Sequence, residues 1–490
     1  MTSSRDRKVA IVWFRRDLRL ADNQALRMAL IRGGPVVPFF VLEPDEEATA
    51  TPGVPSRAWI RRSLRSLEES LRGRGSRLVI RLGPAGKALS DLANETGAGA
   101  VFWNRLYEPP VAIRDAERLS ALRSEGLEAV SCDGTLLHDP TTIRTSQGGP
   151  FRVFTPFWRH CLSLSGPEPP IRAPSRIPGP SGWPESSGSA VLGPESEAER
   201  AVDIDSTWKP GEAGAAKRLA HFLESGLPGY PANRDRPDLQ GTSRLSPHLH
   251  FGEISPRQVW HAALARAAVD PTPGAARGAE AFLRQIGWRE FAHHLLVHFP
   301  GTPDAPLRLE FRDFRWRKDR DALSAWSQGR TGYPIVDAGM RELQRTGWMH
   351  NRVRMVVASF LVKDLLLPWQ EGSRWFLETL TDADLANNTF GWQWTAGCGA
   401  DAAPFFRIFN PVIQGRKFDP EGTYVRRWVP ELERLPSRWI HRPWDAPAEA
   451  LRTAGVRIGK TYPAPIVDHA SARIRALAAF TALKPPRPKP

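Results

Sequence analysis

The feature that most constrains this chain is a change of period along it. Between residues 8 and 133, five short β-branched or aromatic runs alternate with stretches of helical spacing; the runs are KVAIVWF, PVVPFFVL, SRLVIRL, AGAVFWN and LEAVSC. In RAWIRRSLRSLEESLRGRG, the residues Ile60, Leu64, Leu67 and Leu71 share one helical face, and Gly73 stands where that helix should stop. Strands separated by helices read as a parallel, doubly wound α/β domain with five strands, expected over 1–133. No G-x-G-x-x-G follows the first strand, which argues against an ordinary dinucleotide site there.

The pattern then breaks. Residues 166–198 are a Pro/Gly/Ser tract that cannot bury enough surface to fold alone, so a surface linker is expected over 134–205. From about 206 the spacing is helical. LSPHL and ISPRQVW both offer a helix start in which Ser caps and Pro takes the first position. RVRMVVASFLVKDLLL reads as a mostly buried helix. An all-α domain is expected over 206–480, with a basic, Pro-rich, disordered tail at 481–490.

The chain has 490 residues, a formal charge of +14, and 57 Arg among its 67 basic residues. Guanidinium groups fork onto phosphates and stack on bases, so the surplus leans toward nucleic acid, although a codon bias toward Arg gives the same composition. There are 18 Trp, more than core packing ordinarily calls for, since a buried indole N–H needs a partner. Cys132, Cys161 and Cys398 have no spacing that fits a disulfide framework or a zinc site. Charges stand in the N-terminus where a signal peptide needs an apolar core, and no apolar run approaches the length of a membrane span. A cytoplasmic protein is expected.

Four stretches carry polar chemistry. GTSRLSPHLHFG (241–252) sets hydroxyls and an Arg ahead of a helix start, which suits a diphosphate or simply a capped helix. In EAFLRQIGWREFAHHL (280–295), Gln285, Trp288, Arg289 and Ala292 share a face fit for a flat, polar, aromatic ligand, while His293 and His294 point apart and read as structural. In GWMHNRVRM (347–355), Trp348, Asn351 and Met355 share a helical face flanked by Arg352 and Arg354; core with solvated Arg is the equal alternative. DADLANNTFGWQW (382–394) carries Asp382 and Asp384, but Ala386 and Asn387 stand where an EF-hand needs an oxygen ligand and Gly, so no metal is expected. What remains is a set of amides, carboxylates and hydroxyls suited to a large heteroaromatic cofactor, surrounded by indoles that can pass single electrons.

Taken together, these stretches resemble the photolyase/cryptochrome family of flavoproteins. WFRRDLRLADNQAL is similar to its N-terminal signature. GTSRLSPHLHFGEISPRQVW, IGWREFAHHLLVHFP, GRTGYPIVDAGMREL, GWMHNRVRMVVASFLVKDLL and DADLANNTFGWQW follow in the family's order, so the resemblance covers about 8–475. The run GADAAPFFRIFNPVIQGRKFD resembles bacterial cyclobutane pyrimidine dimer photolyases more than plant cryptochromes.

The resemblance implies an α/β antenna domain followed by an all-α domain that binds FAD and ultraviolet-damaged DNA, in a monomer. It implies light-driven splitting of cyclobutane dimers by electron transfer from excited reduced FAD; a blue-light photoreceptor or a (6-4) photolyase is the alternative. Tyr230 and the run Thr242, Ser243, Arg244, Leu245 and Ser246 would hold the diphosphate and adenosine part of FAD. Phe282, Arg354, Asp382, Asp384 and Asn388 would surround its ring, with Arg354 paired to Asp382. Trp392, Trp369 and Trp316 match the family's electron relay. Trp288 and Trp394 would wall the flipped-out lesion, Gln285, Asn351 and Met355 would touch its bases, and Arg234, Arg289, Arg352 and Gln414 would serve DNA.

Three features depart from the family's commonest pattern. Many dimer photolyases have Glu at the position of Gln285, and Gln also occurs in (6-4) enzymes. Those enzymes generally carry a His pair near the lesion, whereas this turn has His350 alone. In the antenna region, Pro110 and Val111 stand where some relatives hold a folate with Asn-Glu, and Leu106 where deazaflavin types have Asp. Methenyltetrahydrofolate and a deazaflavin both stay open as the antenna.

Overall fold

The computed structural model describes residues 8–43, 53–188, 196, 199, 202–270 and 272–483. Parts of the expected linker and the tail from 484 onward lie outside these residues. Two compact units form, one from 8–150, 156–228 and 243–298, the other from 151–155, 229–242 and 299–483. This division does not follow the boundary near 205 read from the sequence. The segments that follow 205 are tied to the α/β part by polar bonds: half-buried Glu212 accepts the N–H groups of Leu20 and Ala21, both at 2.9 Å, and buried Glu253 accepts the Trp59 indole N–H at 3.0 Å.

All five expected strands form. They are β1 (Ala10–Phe14), β2 (Val36–Leu42), β3 (Val79–Leu82), β4 (Ala100–Asn104) and β5 (Glu128–Cys132). They make one parallel sheet in the order β3-β2-β1-β4-β5, with Ala10 in register with both Val36 and Ala100. Every residue of β1 and β4 is buried, because helices α1 (Gln24–Arg32), α2 (Val54–Arg72), α3 (Ala85–Thr96) and α4 (Pro109–Ser124) connect the strands of a sheet that is wound both ways. On α2, Leu64, Leu67 and Leu71 are buried. The helix ends before Gly73, but the left-handed residue that reverses the chain is Gly75, at φ 75°.

The carboxyl ends of β1 and β4, where the strand order switches, are filled by the chain's own side chains. Arg15 holds Asp115 with two bonds of 2.9 and 2.7 Å and donates to the Asn104 carbonyl, and Asn104 donates to Asp17 at 2.6 Å.

The described part of the linker is irregular but not loose. The Val36 N–H donates to the Pro178 carbonyl at 2.7 Å, the Ile177 N–H to Arg74 at 3.0 Å and the Ile80 N–H to the Ser186 hydroxyl at 2.9 Å, and Ile177 is fully buried. The segment is strapped along the β2–β3 side of the sheet, because its Pro178 carbonyl and Ser186 hydroxyl answer N–H donors of β2 and β3. The span expected to be linker also contains a helix, Phe154–Ser163.

Later in this unit come α5 (Pro256–Val269) and the 26-residue α6 (Pro273–His298). Ser255 caps α5 in a full capping box with Gln258. Ser246 does not cap: the helix Ser246–His250 is only five residues long and starts at Ser246 itself, with Leu245 at its cap position.

The second unit is helical. Its main elements are α7 (Pro334–Thr346), α8 (Asn351–Ser359), α9 (Trp369–Thr379), α10 (Leu385–Ala396), α11 (Pro411–Phe418) and α12 (His469–Thr481). A Cβ on Gly339 of α7 would come within 2.3 Å of Val353 on α8, so glycine sets how closely these two helices approach. α7 stops at Gly347, φ 66°. The run after α8 does not continue as α-helix but widens into a π turn, Phe360–Asp364. Met340, Val353, Val357, Leu361, Trp326, Trp369 and Trp392 belong to one buried core. Among the described residues, no helix is long and apolar enough to cross a membrane.

Candidate functional site

Helix α8 turns two kinds of chemistry in two directions. His350 caps it, accepting the Arg352 N–H at 3.2 Å. Arg354 then points inward: its Nη2 donates to both oxygens of Asp382, at 3.0 and 2.8 Å, and its Nε to the Met349 carbonyl at 2.8 Å. The expected pair of Arg354 and Asp382 is therefore present, with the carboxylate buried. On the other side Asn351 is exposed, and its amide lies 3.9 Å from the Met355 sulfur. Trp348 is not on their helical face. It precedes the helix, is buried, and meets the His350 ring edge-on at 6.3 Å.

The stretch 382–394 divides its polar groups between structure and site. Asp384 caps α10: it accepts the Asn387 N–H and side-chain amide, both at 2.8 Å. Asn388, one turn on and buried, spends its amide N–H groups on Ser373, at 3.0 Å to the carbonyl and 2.9 Å to the hydroxyl. The carbonyl oxygen of Asn388 is thereby kept as the acceptor that faces away from Ser373.

Trp392 sits edge-on between Phe376, at 5.0 Å, and Trp326, at 6.2 Å. Its ring also lies against the backbone of α9, because a Cβ on Gly372 would fall 2.1 Å from Trp392 Cη2. Trp369 opens α9 one turn before Gly372 and is buried; Trp316 is half-buried and packs on Phe314 at 4.3 Å. Trp394 and Gln414 are half-buried, the latter on α11.

Tyr230, in the same unit, is buried, which pushes its hydroxyl pKa up, and Arg234 lies over its ring at 5.6 Å. Thr242 closes that segment and is half-buried. Arg352 donates to Asp235 at 2.7 Å and stacks on Phe418 at 4.4 Å.

The other unit holds the remaining residues. Arg244 has a left-handed backbone, φ 53°, a strained conformation for a non-glycine residue, and its guanidinium stacks on Trp208 at 4.8 Å. Ser243 is half-buried, Leu245 buried and Ser246 exposed. On α6, Phe282 is buried against Phe222 at 4.6 Å, and Gln285 and Trp288 are half-buried on the expected face. Gln285 donates to the Ala281 carbonyl at 3.1 Å. Arg289, expected to serve DNA, has a side chain that is 12% exposed and donates to the Thr135 carbonyl at 3.0 Å. Its neighbour Glu290 is buried and accepts the N–H groups of Leu137 and His138, so this turn of α6 pins the 135–138 segment. His293 bonds the Arg289 carbonyl and His294 is fully buried.

Sequence reasoning missed Ser373, Trp326, Phe376 and Asp235. Ser373 carries no motif and meets Asn388 only through the packing of α9 on α10. Asp235 had a usable signal, a carboxylate directly after a candidate DNA-binding Arg.

Comparison with known proteins places this geometry. Residues 10–175 match the family model described as DNA photolyase, and 282–482 the one described as FAD binding domain of DNA photolyase. A deoxyribodipyrimidine photo-lyase of Agrobacterium fabrum is 49% identical over 477 residues, 97% of this chain and 98% of that protein. Cryptochrome-1 of Arabidopsis thaliana is 43% identical over 95% of this chain and 69% of its own length. The crystal structure of a bacterial class III photolyase from Agrobacterium tumefaciens superposes with a TM-score of 0.93, at 48% identity and 99% coverage of both chains. The chain belongs to the photolyase/cryptochrome family of FAD-binding proteins.

Proposed function

We propose that the chain is a DNA photolyase that splits cyclobutane pyrimidine dimers in light. The observation that carries this reading is helix α8, which binds Asp382 through Arg354 on its inner side and leaves Asn351 exposed beside Met355 on its outer side. One rigid element would then face both the cofactor and the lesion, and a pure photosensor has no need of the second face.

The residues fit FAD. Tyr230 and Thr242 to Ser246 would hold its diphosphate and adenosine end; Phe282, Arg354, Asp382, Asp384 and Asn388 would surround its ring. Reduced FAD, when bound, supplies the light-driven electron that opens the cyclobutane ring. The chain's own residues bind and orient. Asn388, fixed by Ser373, would offer its carbonyl oxygen to the ring as a hydrogen-bond acceptor. Trp288 and Trp394 stack on a base flipped out of the duplex, where a damaged pair is cheap to unstack. Gln285, Asn351 and Met355 contact the lesion's edges, and Arg234, Arg352 and Gln414 hold the backbone. Arg289 acts from behind, by pinning 135–138. Trp392, Trp369 and Trp316 pass electrons inward from a reductant at the surface. A folate or deazaflavin antenna completes the proposal; mass spectrometry of the chromophore extracted from purified protein names it.

The test is illumination of the reduced protein with oligonucleotides that carry either a cyclobutane dimer or a (6-4) product. Chromatography should show intact thymine from the first substrate. Repair of the (6-4) product alone would replace this reading with its nearest rival, and repair of neither would favour the photoreceptor.

A further inference from the structure

We propose that Asp235 competes internally for Arg352 against DNA phosphate, and so holds down the affinity of the chain for any DNA. The inference rests on the DNA-repair reading above and adds a residue that sets the strength of binding.

Arg352 is the second residue of α8, and two groups hold its guanidinium. The Phe418 ring lies beneath it at 4.4 Å, and Nη2 donates to Asp235 at 2.7 Å. The same carboxylate lies 3.9 Å from Arg234, and Lys417 stands 5.2 Å from the Phe418 ring. Asp238, the next acid along the chain, is already held by two bonds from Arg236, at 2.8 and 2.5 Å. Asp235 thus answers two cations, Arg352 and Arg234. The pair is within reach of solvent, with the Asp235 side chain 34% and the Arg352 side chain 18% exposed.

A carboxylate in that position acts on a polyanion in two ways. It repels the phosphate directly, and it cancels the charge with which Arg352 would displace a counterion. Against this stands its possible use as an aligner of Arg352. The geometry weighs the first effect above the second, because the Phe418 ring supports the guanidinium plane at 4.4 Å independently of Asp235. An asparagine at 235 keeps the volume and one oxygen acceptor for Nη2; it removes the charge and replaces the other oxygen, 3.9 Å from Arg234, with an amide NH₂.

The experiment measures affinity of the full-length protein for dimer-containing and undamaged duplexes of one sequence, across a range of salt. Asp235→Asn should bind both duplexes about three- to tenfold more tightly at low salt. Its plot of log affinity against log salt should be steeper by up to about one, as one further counterion is released. Adding Arg352→Gln should remove both gains. Unchanged or weaker binding by Asp235→Asn would overturn the inference, and so would gains that survive Arg352→Gln. The salt slope separates a charge effect from a merely structural one, which would shift affinity without changing the slope. If the unaltered protein shows no salt-dependent binding to damaged DNA, the repair reading falls and this inference with it. If the unaltered protein binds and Asp235→Asn matches it, this inference falls alone.

Discussion

Ser373 takes both hydrogen bonds that the Asn388 amide nitrogen donates, at 3.0 Å on its carbonyl and 2.9 Å on its hydroxyl. The orientation of a buried amide decides whether it meets a ligand as donor or acceptor, and here a residue on a neighbouring helix decides it. Ser373→Ala keeps the carbonyl partner and loses the hydroxyl. The stability cost should be about 1 kcal/mol. The larger effect is expected on the bound flavin: an amide free to turn its NH₂ toward the ring favours the unprotonated, oxidised nitrogen. Spectroelectrochemical titration should give a more negative midpoint potential for the variant. An unchanged potential would mean that the Ser373 carbonyl alone fixes the amide.

A pH prediction follows from two adjoining groups in the second unit. Burial pushes the Asp419 carboxyl up to about 6, against its two bonds from the Tyr424 and Val425 N–H groups. Burial pushes His441 down to about 4, although it bonds the Asp419 carbonyl at 2.6 Å. Between their ordinary and folded values, native Asp419 holds a proton that the unfolded chain has lost, so its contribution to stability falls as pH rises from about 4 to 6. Unfolded His441 takes a proton that the native state refuses, so its contribution rises from about pH 4 to 6.5. The two slopes oppose one another and largely cancel. Asp419→Asn, whose single amide oxygen keeps one of the two N–H bonds and loses the other, should be less stable throughout but leave only the rising slope, on the order of 3 kcal/mol across the window. His441→Gln should leave the falling one. Urea denaturation at steps from pH 4 to 6.5 reads both, and a flat profile for Asp419→Asn would contradict the assignment.

The α/β part of the first unit was largely legible in the sequence because its signals are local. Five apolar runs of strand length and the stripe of Leu64, Leu67 and Leu71 each report burial within one element. The Arg354–Asp382 pair could be named only through a resemblance, since 28 residues separate its members. Ser373, Phe376 and Trp326 were invisible for the same reason: each matters through a contact made when helices pack, and no spacing rule reaches across that packing. Arg289 shows the same limit from the other side: its guanidinium bonds the Thr135 carbonyl, a partner 154 positions away that no spacing on its own helix could announce. Ser246 failed on length, since a five-residue helix begins at the residue expected to cap it.

The Arg354–Asp382 pair should matter for fold and cofactor alike. Arg354→Gln leaves a buried carboxylate without its cation. Because the Arg354 side chain is 23% exposed, the loss should fall below the 3–5 kcal/mol of a fully buried pair, at about 2 kcal/mol. The ratio of flavin to protein after gel filtration should fall as well. Arg354→Lys should not restore it, because an ammonium cannot reach both Asp382 oxygens and the Met349 carbonyl in the plane of a guanidinium. Full flavin retention by Arg354→Gln would remove the pair from the cofactor site.

The last prediction concerns Trp392, whose ring is held by Phe376, Trp326 and the bare backbone of Gly372. Phe at 392 keeps most of the apolar volume in that slot, so the stability cost should stay within about 1.5 kcal/mol, and flavin should remain bound. A phenyl ring is far harder to oxidise than an indole. Trp392→Phe should therefore abolish light-driven reduction of oxidised flavin, followed by absorbance under blue light with an external reductant. Dimer repair should survive once the flavin has been reduced with dithionite, because the electron for the lesion then comes from the flavin and none has to cross from the surface. Trp326 makes the assignment testable against its neighbour: it also touches Trp392, but its indole N–H is bonded to the Val357 carbonyl at 3.0 Å and its side chain is fully buried. Trp326→Phe should keep photoreduction if Trp369 and Trp316 carry the relay. Normal photoreduction in Trp392→Phe would end the relay assignment; loss of photoreduction in Trp326→Phe would reroute it; loss of repair in pre-reduced Trp392→Phe would move Trp392 from the relay to the lesion chemistry itself.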